Sequence, residues 1–267
     1  MTRRMRYAGI LTAVLALLLA LPLRGDGHSA GNRVVMSSHK STIDISLSYD
    51  GDRIVFFGLN PDPEAQLVVK LVSQVKPEVL LSVKDRFGPV WMAKRQYKVV
   101  GAPLMYKVIS AVPLDKLMSP QQAEKLGLGY AALMDKVQIQ LVRGEKVPGE
   151  EQKVRQALIS LKEAQGLYHI YIRPDRLRTI ERQLYMHHFS FPPTATEGVY
   201  VAETYALHNG RVVGYGRHQV TIQKVGLQAW LTQEARQEPL FYGIGAVLAS
   251  CLAGLGVGLI FKRGGSH

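Results

Sequence analysis

Apolar positions follow three patterns along the chain. Two uninterrupted runs, Ala8 to Leu21 and Leu240 to Phe261, bracket a middle region where apolar and polar residues alternate or recur with a helical period. Alternation comes first. Ile43, Ile45 and Leu47 are separated by polar residues, the period of a strand with one buried face. Asp50-Gly51-Asp52 marks a turn, RIVFFGL predicts a second strand, and AQLVVKLV predicts a third after Pro61 and Pro63. PEVLLSVKDRFGPVWMAK predicts a strand, a turn at Asp85 to Gly88 and another strand, and YKVVGAPLMYKVISAVPL adds one or two more. Short strands recurring every ~8–12 residues predict a sandwich or barrel.

The period changes at SPQQAEKLGLGYAALMDKV. Ser119, with Pro120 at the first helical position and Gln122 behind it, predicts a helix opened by a capping box and closed by Gly127. A second helix is expected from Tyr130 to Val137. In GEEQKVRQALISLKEAQG, Val154, Ala157, Leu158 and Leu161 form one apolar stripe, Glu150 and Glu151 suit the first turn, and Gly166 fits the position after the last turn. Strands resume at LYHIYIRP and TIERQLYMHHFSFP. Asn209-Gly210 predicts a type I′ hairpin with His208 opposite Arg211, Ala206 opposite Val213, Tyr200 opposite Gln219 and His218 opposite Val201. Tyr200, at the start of EGVYVAE, is placed to hydrogen-bond back across a corner, as a tyrosine does in immunoglobulin-like sandwiches. GLQAWLTQEARQEP predicts a short amphipathic helix with Trp230 and Leu231 at a membrane interface.

The expected fold is therefore mainly β: an immunoglobulin-like β-sandwich with a helical insertion over about 119–165, plus one C-terminal transmembrane helix. The expected segments are a signal peptide (1–27), the sandwich domain (28–226), a juxtamembrane helix (227–239), a span (240–261) and a tail (262–267). Arg3, Arg4 and Arg6 precede an apolar run of about 14 residues, short for a span and suited to a signal peptide; an uncleaved anchor is the other reading. The run at the far end, about 22 residues, covers the hydrocarbon core, with Phe241 and Tyr242 at one border and Lys262-Arg263 at the other. The basic border predicts a cytoplasmic end, so the domain is expected in the periplasm of a bacterial inner membrane.

The net charge of +12 comes from 33 basic and 21 acidic residues, but part of the excess sits in the terminal segments. No basic run is interleaved with stacking aromatics, so nucleic acid is not an expected partner. The single cysteine, Cys251, lies in the apolar tail, which excludes an intrachain disulfide and a cysteine nucleophile in the domain. No G-x-S-x-G, H-E-x-x-H or G-K-[ST] occurs, and GLGYAA, GYGRHQ and GIGAVL lack the third glycine of a dinucleotide fingerprint. No catalytic residue, cofactor or metal ligand is assigned. His187 and His188 are adjacent on a strand and point to opposite faces. Arg173, Arg176, Arg178 and Arg182 could form an anion patch, or simply pair with Asp175 and Glu181. Along the tail, Ala246, Ser250, Gly254 and Gly258 repeat every four residues and predict a helix-packing face toward another transmembrane helix, of a second copy or of a permease.

The layout, with IDISLSYDGDRIVFFGL, QLVVKLVSQ, VWMAKRQYKVVGAPLMYKVISAVPL, EGVYVAETYALHNGRVV and the final span, resembles a family of transmembrane proteins described mainly from alphaproteobacteria. Phe57-Gly58, Trp91 and PLMYKV carry the resemblance. It implies an exported domain on a C-terminal span, no established activity, and a gene often found near permeases of the sulfite-exporter (TauE/SafE) type. Two function classes stay open: an accessory protein beside a transporter, or a domain that binds a small anion or a metal, with or without catalysis.

Overall fold

A computed structural model describes residues 32–174, 177–181 and 183–262. The expected signal peptide and the tail after Lys262 lie outside the described residues. The described chain is mainly β, with several sheets and six helices, the last of them apolar and C-terminal.

Two sheets face each other. The first runs β1 (Asn32–Arg33), β14 (Arg211–Lys224), β13 (Gly198–His208), β5 (Gln66–Ser73), β8 (Tyr106–Ser110), β10 (Tyr168–Ile172), and β3 (Thr42–Ile45) also pairs with β14 in parallel. The second runs β11 (Leu177–Ile180), β12 (Leu184–Phe191), β4 (Asp52–Leu59), β2 (Val35–Ser38). Alternation along β4 and β12 buries Ile54, Phe56, Tyr185, His187, Phe189 and Phe191 between the sheets. Across the gap stand Tyr200, Ala202, Thr204 and Ala206 of β13, all fully buried. The Tyr185 hydroxyl donates to Thr204 Oγ1 at 3.4 Å, and the Phe191 and Tyr200 rings meet edge to face at 5.5 Å.

The first strand changes sheets. β1 lies on β14, β2 lies on β4, and β3 returns to β14. Glycines make room for the crossing. A Cβ on Gly216 would lie 2.4 Å from the Val34 carbonyl, and one on Gly58 would lie 1.9 Å from that of Val35.

Asn209 and Gly210 both have positive φ, 48° and 74°, as a type I′ turn requires. His208 pairs with Arg211 as expected, but a bulge changes the register beyond it. Ala206 stands opposite Gly214 rather than Val213, Tyr200 opposite Val220 rather than Gln219, and His218 opposite Ala202 rather than Val201. Val213 is the extra residue. The reason is burial. Without the bulge, Tyr215, Gln219 and Thr221 would point into the core in place of Gly216, Val220 and Ile222. The Tyr200 hydroxyl donates to the Thr196 carbonyl at 2.8 Å, the corner contact expected from the sequence.

The other face of the first sheet is covered by helices: α1 (Leu114–Leu117), α2 (Pro120–Leu126), α3 (Tyr130–Asp135) and α4 (Glu150–Ala164). The capping box at Ser119 and Gln122 is formed, and Gly127 closes α2 in the left-handed region. At the end of α4, Gly166 N–H donates to Glu163 O and Leu167 N–H to Lys162 O, a Schellman motif. The buried face of α4 is Glu150, Val154, Leu158 and Lys162; Ala157 and Leu161 of the expected stripe are exposed.

Between α3 and α4 lies a strand, β9 (Gln138–Arg143), inside the stretch read from sequence as helical. It pairs with β7 (Val90–Val100), which pairs with β6 (Val79–Phe87), giving a separate three-stranded sheet. The β6–β7 turn is Gly88-Pro89, closed by the Phe87–Val90 pair and two residues past the expected Asp85 to Gly88. Gly88 has φ 60°, and proline follows with its fixed negative φ, the pattern of a type II′ turn. Arg95 and Tyr97 of β7 both bond Glu150, which ties α4 to this sheet.

Candidate functional site

The helix-covered face of the first sheet holds a polar cluster that is buried at Lys70 and Tyr205 and opens to solvent at Tyr215. Strand pairing places Lys70 of β5 beside Glu203 of β13, and Tyr205 beside Tyr215 of β14. Lys70 Nζ donates to Glu203 Oε2 at 2.7 Å, to the Leu126 carbonyl at 2.7 Å and to Tyr205 Oη at 3.3 Å. An ammonium has three N–H donors, so Lys70 is saturated. Tyr205 and Tyr215 donate to the two carboxylate oxygens of Glu203 at 2.9 and 3.2 Å. Burial pushes the Glu203 pKa up, but the bonds from Lys70 and both tyrosines outweigh it and leave it below the ordinary value. Burial first, and then the Glu203 carboxylate, push the Tyr205 hydroxyl up, so it stays protonated. Glu203 is held ionised and every N–H of Lys70 is used. The cluster's chemistry is that of a clamp, holding the end of α2 on the sheet. Beside it lies a cleft of about 200 Å³ lined by Lys70, Lys76, Tyr106, Gly127 and Lys136. Tyr106, from the PLMY segment, fixes its wall by donating to Gly127 O at 2.9 Å and accepting from Gly129 N–H at 2.8 Å. Sequence reading missed these lysines because they are far apart in the chain and only strand pairing and the α2–α3 turn bring them together.

The histidines are dispersed. His187 is buried between the sheets, stacked on Phe56 at 5.3 Å, with neither ring nitrogen hydrogen-bonded. Burial, and secondarily His188, depress its pKa to about 3. His208 Nδ1 lies 2.7 Å from Asp62, whose pKa that bond lowers, and His218 Nε2 lies 2.8 Å from Ser38 Oγ. Among the described residues, no three of His, Cys, Asp and Glu converge on one point. Of the expected arginine patch, Arg173 is exposed, and its backbone N–H donates to Ser110 O at 2.9 Å. Arg176 and Arg182 lie outside the described residues, and Arg178 is placed only by its backbone in β11.

Past β14 the chain enters α5 (Gly226–Gln237) and then α6 (Pro239–Lys262), 24 residues long. Pro239 at the first position suits a helix start. The apolar part, Pro239–Leu259, is 0% buried against the rest of the chain. A side chain added at Gly245, Gly254 or Gly258 would meet nothing within 4 Å. The Ser250 hydroxyl donates to the Ala246 carbonyl at 2.8 Å, so it is not left bare within the apolar stretch. The helix has the length and character of a membrane span.

The family profile described as "Putative transmembrane protein (Alph_Pro_TM)" matches residues 33–263. The chain belongs to that family. The match takes in both facing sheets, the inserted segment and α6, so the Alph_Pro_TM unit is the folded domain together with its span. Gly58, which admits the crossing strand, and Tyr106, which pins the α2–α3 turn, both fall inside the Alph_Pro_TM region. No curated protein matches the chain in sequence.

Proposed function

We propose that this Alph_Pro_TM protein is a non-enzymatic accessory subunit, exported by its N-terminal signal peptide, that presents a periplasmic immunoglobulin-like domain and docks through α6 on another membrane helix. The partner helix belongs to a permease, of the sulfite-exporter type that the family resemblance implies. The carrying observation is α6 itself, which is wholly uncovered by its own domain and bears small residues every four positions. In lipid no hydrophobic gain drives helices together, so close approach through Ala246, Ser250, Gly254 and Gly258 supplies the contact. An anchor needs only apolar bulk. Strand order supports the immunoglobulin-like reading: β11-β12-β4-β2 against β14-β13-β5 follows the four-on-three order of that fold, with β1, β3, β8 and β10 added to the second of these sheets.

The test is in-membrane crosslinking with mild-detergent co-purification, comparing the native chain with a Ser250→Leu, Gly254→Leu variant. The variant is expected to insert normally and to lose the crosslinked membrane partner. Unchanged crosslinking would reduce α6 to an anchor.

A further inference from the structure

The β6–β7 hairpin outgrows its sheet. β9 covers only Gln96–Val100 of β7, so the rungs from Val83/Arg95 to Phe87/Val90 form a bare two-stranded ribbon. A register shift at Val83/Lys84 leaves Lys94 as the extra residue and bends the ribbon there. At its end Val90, Trp91 and Met92 are 56%, 63% and 58% exposed. Lys84, Arg86 and Lys94 are exposed beside them, against the single acid Asp85, which Arg95 and Lys94 already face at 3.3 and 3.7 Å. Cross-strand pairing sets Arg86 opposite Trp91, with Lys84 on the same face. An aromatic and apolar tip inside a basic collar is matched to an anionic lipid surface.

The ribbon also leaves the sandwich at the membrane end. β5 ends at Ser73, paired with Tyr200, and a side chain on the neighbouring Gly198 would start 2.5 Å from Val75. Next to Gly198, Glu197 accepts from Arg236 of α5 at 3.1 Å and faces Lys224, the last residue of β14, at 3.7 Å. The hairpin and α5 therefore start from one end of the fold. The 12 residues of α5 span at most ~18 Å, whereas the 11 residues of β7 span ~36 Å. The ribbon is long enough to reach the bilayer that α6 crosses.

We propose that the β6–β7 tip is a second membrane contact, with Val90, Trp91 and Met92 entering the headgroup–acyl boundary and Lys84, Arg86 and Lys94 holding anionic headgroups. Attachment through α6 keeps the tip at ~mM effective concentration over the surface, so a contact too weak to recruit a free domain is still occupied. Two contacts fix the tilt of the domain on the membrane. This goes beyond the proposed function, which requires only α6.

The chain has two tryptophans, so Trp230→Phe leaves Trp91 as the sole tryptophan, read by excitation to the red of tyrosine absorption. The full-length variant is reconstituted in bilayers of phosphatidylcholine alone or mixed with phosphatidylglycerol, with nitroxide lipids as depth probes and iodide as the aqueous quencher. The expected result is several-fold stronger quenching by shallow than by deep nitroxides, protection from iodide, and an increase with phosphatidylglycerol that is lost in Lys84→Gln, Arg86→Gln, Lys94→Gln. If Trp230→Phe fails to insert, Val90→Cys in a Cys251→Ser background, labelled with an environment-sensitive dye, reads the same depth. Trp91 open to iodide, or shielded from iodide without nitroxide quenching as it would be against protein, overturns the proposal.

Discussion

His187 sits face to face between Phe56 and Tyr185, with ring centroids 5.3 and 6.0 Å away, and both of its nitrogens lack partners. It packs as an aromatic and carries the cost of a buried polar group without return. Its ordinary pKa of 6.5 falls to about 3 in the folded state because burial disfavours the charged ring. The unfolded chain therefore binds a proton below pH 6.5 that the native protein refuses until about pH 3, and stability drops as pH falls through that window. His187→Phe is expected to raise the unfolding free energy at neutral pH by about 1–2 kcal/mol and to flatten its decline on acidification. Denaturant unfolding of the detergent-solubilised chain on both sides of pH 6.5 measures both effects. A loss of stability at neutral pH would mean that the ring nitrogens are partnered after all. The sequence showed that His187 and His188 diverge; it could not show which of the two points inward, because that depends on strand β4 supplying Phe56 opposite it.

Element-level features were legible where a local rule governs them. The capping box of α2, the type I′ turn at Asn209-Gly210 and the apolar run of α6 are each written in a few adjacent residues. The bulge at Val213 was not, since it is set by which face of β14 must be apolar once β13 and the opposing sheet are present. Nor was β9, whose six residues carry only Ile139 and Leu141 as half-buried positions and take their strand form from pairing with β7. Phe57-Gly58 lies between these cases: visible as a motif, explained only by the crossing of the first strand. Gly58→Ala would drive a methyl into the Val35 carbonyl and within 2.7 Å of the Tyr185 hydroxyl. It is expected to cost about 1–3 kcal/mol through displaced β2–β4 pairing. Gly243→Ala in α6, where nothing lies within 4 Å, serves as the unaffected control. Matching thermal midpoints for the two variants would show that β2 is not held by this contact.

At the scale of the whole molecule, the helix that carries the membrane contact and the hairpin with the exposed tryptophan depart from one end of the sandwich, so the side of the membrane on which the domain lies decides what either can meet. The charges flanking α6 differ by border. Lys262, its last residue, and Arg263 close it with no acid beside them, whereas Glu234 and Glu238 accompany Arg236 before it. A short segment rich in Lys and Arg is retained in the cytoplasm, and acidic residues contribute little to that choice. Arg3, Arg4 and Arg6 ahead of the first apolar run have the same preference, and a segment cut after that run leaves the domain on the opposite side. Both ends therefore favour one orientation, with the sandwich outside and His267 inside. Alkaline phosphatase fused after Gly226, which folds only outside the cytoplasm, is expected to be active, and a fluorescent protein fused after His267 is expected to glow. An inactive phosphatase with a dark C-terminal reporter would reverse the orientation, and with it the leaflet that Trp91 is proposed to enter.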